Sequence, residues 1–272
     1  MAVHLTLDNG ELADAYDAIS NSQFNRGCTL AARLAIKPGA AVLDIGCGTG
    51  RLGRYVISLL GPTGRFVGID PLPERIKIAN NKNEYANAVF QTGNAEDLSQ
   101  FAGSSFDVVY LNAVFHWVLN KDLALREIQR VLKPGGTIGI TTGAGELNIA
   151  AGLQLIIDSV LRREPYRQIV NIEESTQNQH GLTTTRLLQL LTTAGFRVLA
   201  VQIENSSQIF ESPREMTLFQ EASCFGNYLN HVPYSLRDQA KSDIEADLEK
   251  YRTGPGIRFD HYTIFALAAK GE

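Results

Sequence analysis

Short apolar runs alternate with segments of helical period along the first half of the chain. Ala41–Ile45 is an apolar run closed by a glycine cluster, the pattern of a strand buried on both faces. Similar runs follow at Arg65–Asp70, Ala88–Thr92, Phe106–Leu111 and Gly136–Thr142. Between them, Arg51–Leu60, Pro73–Tyr85 and Lys121–Leu132 repeat their apolar positions at helical spacing. The last of these is closed by Lys133-Pro134-Gly135-Gly136, a helix stop signal. Upstream, Cys28–Ile36 reads as a helix. Strands alternating with helices imply βαβ units, a parallel sheet and right-handed crossovers.

After about residue 143 the pattern loosens. Leu147–Arg163 reads as helix, Glu164–Gly181 as irregular, Thr183–Ala194 as helix and Phe196–Ile203 as a strand. Met216–Leu229 and Ser235–Tyr251 read as helices, and Phe259–Ala269 as an extended run. The absence of a repeat, a low-complexity tract or a linker predicts that this half is woven onto the same sheet.

Composition narrows the classes. The chain has 272 residues, 44% apolar and 20% charged, enough to bury a core without disulfide or metal staples. With 25 basic against 29 acidic residues, the net charge is -4, which argues against a nucleic-acid or anionic-membrane partner held by bulk electrostatics. Cys28, Cys47 and Cys224 form neither a disulfide framework nor a zinc pattern, and His4, His180, His231 and His261 make no metal spacing. The chain begins without a secretory pattern, and no run approaches the roughly eighteen apolar residues of a membrane span. The expectation is a cytoplasmic protein without a membrane or nucleic-acid partner, its oligomeric state open.

The most informative stretch is Val42-Leu-Asp-Ile-Gly-Cys-Gly-Thr-Gly-Arg51, where a strand turns through three glycines into a helix. Glycine lets the backbone take unusual φ angles and lets a ligand approach, with helix N-terminal amides facing it. Asp70 closes the second strand, where a carboxylate can accept both hydroxyls of a ribose. A dinucleotide site wants its third glycine at position 51, which is Arg; the match Gly48-Thr-Gly-Arg-Leu-Gly53 begins three residues after the strand. The alternative is Asp44-x-Gly-x-Gly-x-Gly50, with the acid on the strand itself.

That second pattern resembles the S-adenosylmethionine (SAM) site of class I methyltransferases. The likeness continues through Phe66-Val-Gly-Ile-Asp70, Gly93-Asn-Ala-Glu-Asp-Leu98, Ser105-Phe-Asp-Val-Val109 and Arg130-Val-Leu-Lys-Pro-Gly-Gly136, in the family's order, over residues 38–142. The resemblance implies a Rossmann-like α/β domain, a seven-stranded mostly parallel sheet with helices on both faces and its last strand antiparallel. It assigns the cofactor to Asp44, Gly46, Cys47, Gly48, Asp70, Leu72, Asn94, Ala95 and Asn112. Asp44 would brace the loop and Asp70 hold the ribose. The Asn94 amide oxygen would stand where the family has an acid on the adenine amino group. Tyr16 would cap the cofactor or pack on the first helix.

Tyr16–Arg26, with Gln23-Phe24 ahead of the first helix, and Leu111–Val118 are similar to the trans-aconitate and juvenile-hormone-acid methyltransferases. Carried over, Gln23 and Trp117 would hold a substrate carboxylate. An amide and an indole are neutral donors, and a carboxylate with pKa near ~4 needs no base at neutral pH. Trp117 as core packing is an equal reading. His116 is either structural or a general base for a hydroxyl or amine. The expected function is methyl transfer from SAM to a small-molecule metabolite, with carboxylate O-methylation the sharpest form. N- or O-methylation of an amine or hydroxyl is the alternative. A non-catalytic SAM-binding protein and an NAD-dependent dehydrogenase stand as readings from other classes. The chain is read as one domain over 1–272: an N-terminal flap and helix (1–37), a cofactor core (38–142), and a substrate lid plus sheet-completing strands (143–272). Segments 144–180 and 204–258 would form a helical lid over a mostly apolar substrate pocket.

Overall fold

The computed structural model describes residues 4–147, 152–171 and 182–271. In chain order the elements are α1 (Gly10–Ile19), α2 (Asn21–Arg33), β1 (Ala41–Ile45), α3 (Arg51–Leu60), β2 (Arg65–Asp70), α4 (Pro73–Asn81), β3 (Ala88–Thr92) and β4 (Phe106–Asn112). They continue with α5 (Lys121–Val131), β5 (Leu132–Gly143), α6 (Gly152–Leu161), α7 (Thr184–Thr193), β6 (Phe196–Phe210), α8 (Pro213–Ser223), α9 (Tyr234–Glu249) and β7 (Ile257–Lys270). Among the described residues the sheet has seven strands in the order β3-β2-β1-β4-β5-β7-β6. The pairs β1–β2, β1–β4, β2–β3 and β4–β5 are parallel, and β5–β7 is antiparallel. This is the expected mostly parallel sheet with its last strand reversed, flanked by helices.

Most predicted elements of the first half stand at their expected bounds. The exceptions have physical reasons. The predicted helix at Cys28 begins seven residues earlier, at Asn21, so Gln23 and Phe24 lie inside α2 rather than ahead of it. Gly27 lies inside the helix because the helices pack closely there: a Cβ would come within 2.4 Å of Leu52 Cδ2 on α3. α1 was not foreseen; Asn9 caps it by accepting the Leu12 N–H at 3.0 Å. α5 ends at Val131, and Leu132 already pairs with Phe106 on β4, so the Lys-Pro-Gly-Gly stop lies inside β5. Met216–Leu229 contains only the last part of α8. The chain breaks there because Phe225 and Gly226 are left-handed, at φ 56° and 77°. Residues 148–151 and 172–181, which carry part of the predicted helix at Leu147, part of the irregular stretch and His180, lie outside the described residues.

The chain gathers into two compact units: a sheet unit of residues 21–144, 182–204 and 263–272, and a helical unit of 1–20, 145–181 and 205–262. In the sheet unit, Leu30, Val56, Leu60, Phe66, Phe90 and Tyr110 belong to one buried apolar cluster. Each such side chain contributes about 1.5–3 kcal/mol by leaving water. In the helical unit, α1 packs on α8, and α9 packs on α6 and α8. Its core includes Ile157, Tyr166, Phe210, Met216, Phe219, Leu229 and Ile244. Phe210, Met216, Phe219 and Leu229, within the predicted lid segment 204–258, are core, whereas Tyr234 is 87% exposed.

Candidate functional site

The glycine loop follows β1 directly. The Gly46 and Cys47 N–H groups donate to the Ile69 carbonyl on β2, at 2.7 and 3.0 Å, fixing the start of the turn. Gly46 is left-handed (φ 77°), and a Cβ on it would fall 2.2 Å from Val114 Cγ2, so no other residue fits without movement. Gly48 and Gly50 are left-handed too, and Gly50 is the N-cap of α3. A helix N-terminus presented this way gathers unsatisfied amides and the positive end of the helix dipole.

Asp70, at the end of β2, ties that loop to the strand. Its Oδ2 accepts the Gly48 N–H at 2.8 Å and its Oδ1 accepts the Leu72 N–H at 2.9 Å. The residue is 6% exposed. An ionised carboxylate offers about four acceptor positions, so one side chain can brace the loop and receive hydroxyls of a ligand. Leu72 is buried at the N-cap of α4.

Asp44 stands on β1 opposite Tyr110 of β4 in the strand register. The Tyr110 hydroxyl donates to Asp44 Oδ2 at 2.9 Å, and both side chains are buried. Burial pushes the Asp44 carboxyl up to about 8, the Tyr110 hydrogen bond opposes the shift, and repulsion from Asp70 adds to it. At neutral pH Asp44 is therefore mostly protonated, and its role is to support the loop from below. Tyr110 was not identified from sequence; its place opposite Asp44 was the available signal. Cys47 is also buried, and burial followed by the charges of Asp44 and Asp70 pushes its thiol well up, which makes it a poor nucleophile.

A second group of candidates meets at the carboxyl ends of β4 and β5. Asn112 Nδ2 donates to the Gln23 backbone carbonyl on α2 at 3.0 Å, and its Oδ1 accepts from the Thr141 hydroxyl at 2.7 Å. Thr141 Oγ1 in turn accepts the Ala113 N–H at 2.9 Å. Thr141 is fully buried and was missed by sequence reading, although the register places it opposite Asn112. One residue on, the Thr142 hydroxyl lies 3.3 Å from His116 Nδ1. The His116 and Trp117 rings sit 4.9 Å apart at 47°. Gln23, Asn112, His116 and Trp117 are thus linked through two threonines of β5.

Two candidates fall elsewhere. Asn94 Oδ1 accepts the N–H groups of Glu96 and Asp97, at 2.9 and 3.0 Å, so this oxygen is already engaged in a local turn. Ala95 beside it is buried. Tyr16 lies on α1 in the helical unit. A further polar residue was read only as an obstacle to dinucleotide binding. Arg51, the first residue of α3, donates from Nη2 to Asn21 Oδ1 at 2.6 Å and stacks over Phe24, 4.7 Å from the ring centre. Its Nη1 is buried with no hydrogen-bond partner among the described residues.

The loop, Asp70 and the Asn112 group occupy the carboxyl ends of β1, β2 and β4. In the order β3-β2-β1-β4-β5 the direction of chain progression reverses between β1 and β4. Open α/β sheets bind ligands in the crevice at that switch point. Among the described residues there is no group of three metal-ligating side chains and no helix long and apolar enough to cross a membrane.

Residues 36–195 match a family described as a methyltransferase domain. The chain is 34% identical over 174 residues to an arsenite methyltransferase of Aquipseudomonas alcaligenes, covering 60% of this chain and 49% of that protein. It is 40% identical over 107 residues to a ubiquinone/menaquinone biosynthesis C-methyltransferase of Hahella chejuensis, covering 38% of this chain and 43% of that one. It therefore spans about half the length, or less, of these relatives. Among solved structures, a SAM-dependent methyltransferase from Aquifex aeolicus superposes with a TM-score of 0.57 at 16% identity, covering 96% of this chain and 98% of that one. The last likeness establishes the fold.

Proposed function

This chain belongs to the methyltransferase-domain family, and from that premise we propose that it transfers a methyl group from SAM to a small-molecule metabolite, with a carboxylate oxygen as the acceptor. The observation that carries the reading is the pinning of Gly48 by Asp70 at the switch point. Bound SAM supplies an electrophilic methyl carbon on a sulfonium. The chain's own residues bind, align and shield it. Gly46 and Gly48 give the methionyl end a surface without side chains. Asp70 receives the ribose hydroxyls, and Leu72 and Ala95 border the adenosine. Because the Asn94 oxygen is engaged by Glu96 and Asp97, adenine recognition falls to the Ala95 backbone more than to Asn94. The buried, unpartnered Nη1 of Arg51 gives the methionyl carboxylate a counter-charge beside the α3 N-terminus. Tyr16 is retained as a cofactor contact.

Methyl transfer is an in-line displacement, so most of the rate comes from holding two atoms close and aligned in a dry site. A carboxylate acceptor is already ionised and needs orientation only. Gln23 and Trp117 provide it as neutral donors, which leave the nucleophile's charge unquenched. The whole chain is read as one catalytic domain, with residues 143–272 setting substrate selectivity. The two curated relatives act on unlike acceptors, by their names arsenite and a quinone precursor, so the acceptor is not inherited from them.

One observation favours a second reading. The Thr142 hydroxyl beside His116 Nδ1 would orient the ring as a general base for a hydroxyl or amine substrate. A metabolite-library screen with methyl-labelled SAM identifies the acceptor, and two substitutions then separate the readings. Gln23→Ala is expected to lower kcat/KM about tenfold, the worth of one oriented hydrogen bond, with His116→Ala nearly silent. Loss of activity in His116→Ala, with a pH profile that loses its acidic limb, transfers the assignment to the base-dependent reaction.

A further inference from the structure

The helical unit contains a cleft of about 240 Å³ between the end of α8, the following turn and the first turns of α9. At about 30 Å³ per water molecule, this is the room of a small metabolite. Its lining includes two acids, Glu221 and Asp238, two bases, Arg237 and Lys241, and the rings of Tyr228 and Tyr234. Such a charge-balanced, mostly polar lining repels neither end of a molecule that carries both signs.

Three features give the cleft direction. Glu221 Oε2 and Lys241 Nζ are 2.6 Å apart, which leaves the second carboxylate oxygen of Glu221 for a cation. Arg237 is held rigid, donating from Nε to the Val232 carbonyl at 2.9 Å and from Nη2 to the Asn230 carbonyl at 3.0 Å. Its remaining edge is Nη1, a charge-assisted donor suited to a carboxylate. The Tyr228 hydroxyl is fully covered and has no hydrogen-bond partner among the described residues. Burial, then the nearby Cys224, Glu245 and Glu221, raises its pKa, so the proton stays on the oxygen. A buried hydroxyl without a partner costs about 1–3 kcal/mol, and natural structures keep few of them. Tyr228 is one of the residues that line the cleft, its hydroxyl covered beneath that lining.

We infer that this cleft is a binding site for a small zwitterion of the free amino acid class, with the ammonium on Glu221 and the Tyr228 oxygen and the carboxylate on Arg237. Tyr234, exposed beside Arg237, would form the open side, with the Arg237 guanidinium carbon 5.9 Å from the centre of its ring. The site uses no residue assigned to SAM or to the methyl acceptor.

The test is thermal denaturation of the full chain against each free L-amino acid in turn, followed by calorimetric titration of those that stabilise it. At least one is expected to raise the unfolding midpoint. Its N-acetyl derivative and its amide, each lacking one charge, should bind about tenfold or more weakly. Tyr228→Phe should leave the unliganded protein as stable as before or more so, because it removes an unpartnered hydroxyl, yet weaken binding about fivefold to tenfold. Arg237→Gln should weaken it further; if that variant loses stability through its two carbonyl contacts, Tyr228→Phe still decides. The assignment is overturned if no amino acid stabilises the protein, or if Tyr228→Phe binds as tightly as the parent. A parallel SAM titration, expected to be the same in parent and Tyr228→Phe, keeps this outcome separate from the methyl-transfer reading.

Discussion

The two units of this chain are held by different kinds of contact. In the sheet unit the contacts that fix the glycine loop run from a side chain to backbone N–H groups. Asp70 accepts from Gly48 and Leu72, and Asp107 accepts the Ala41 N–H at 2.8 Å while binding Lys133. In the helical unit they include pairs of side chains, most of them joining segments far apart in sequence. Arg163 and Lys250 converge on Asp247, the Tyr166 hydroxyl donates to Asp243 at 2.6 Å, and the Thr217 hydroxyl donates to Glu245 at 2.6 Å. The difference teaches which contacts in the chain are open to change. A loop fixed through its backbone tolerates almost no change, whereas exchangeable side-chain pairs can be replaced together.

The largest expected effect breaks the sheet unit at its tightest point. Gly46→Val places branched carbon against Val114 and forces a β-branched residue to positive φ. Overpacking and backbone strain together should cost about 3 kcal/mol or more, read as a lower unfolding midpoint with loss of SAM binding. A variant that unfolds at the parent's midpoint would show that the loop is not constrained in this way.

The next effect concerns Asp44, whose folded pKa is raised to about 8 against about 4 in the unfolded chain. A raised carboxyl pKa contributes stability that is fully present below the unfolded value and is lost as pH rises through the folded one. The unfolding midpoint should fall between about pH 5 and 8 and level off above. In Asp44→Asn that component should vanish, leaving a flatter profile. Equal pH dependence in the two proteins would contradict the buried, mostly neutral Asp44.

The smallest effect belongs to the helical unit. Its Asp247 carboxyl is held down to about 2 by hydrogen bonds to Arg163 and Lys250. Both cations are half-exposed or more, so solvent screening limits their worth. Asp247→Ala should cost about 1 kcal/mol, a few degrees in midpoint, and leave SAM affinity unchanged. A large change in affinity would contradict this purely local role of Asp247.

The same contrast explains what could be read in the sequence. β1, β2, β3 and α3 match their predicted bounds because a buried parallel strand and a glycine turn are written locally. Asp44, Asp70 and the glycines followed from the same few residues. Tyr110 and Thr141 did not, because their partners Asp44 and Asn112 are joined to them only by strand register. α2 was read short, although Gly27 inside it is demanded by the close approach of Leu52. β6 extends seven residues past its predicted end through Glu204-Asn-Ser-Ser-Gln208, whose polar side chains suit an edge strand but fall in the predicted lid segment that begins at 204. The helical unit was least legible because pairs such as Arg163 with Asp247 have no local signature.

The central claim is that the loop and Asp70 form a SAM site. Calorimetric titration of the full chain with SAM, and separately with NAD, tests it most directly, with Asp70→Ala as the paired variant. Saturable binding of SAM is expected, weakened about a hundredfold in Asp70→Ala by loss of charge-assisted hydrogen bonds to loop and ribose, with no saturable binding of NAD. No heat with SAM in the parent protein, or SAM affinity unchanged in Asp70→Ala, would contradict it.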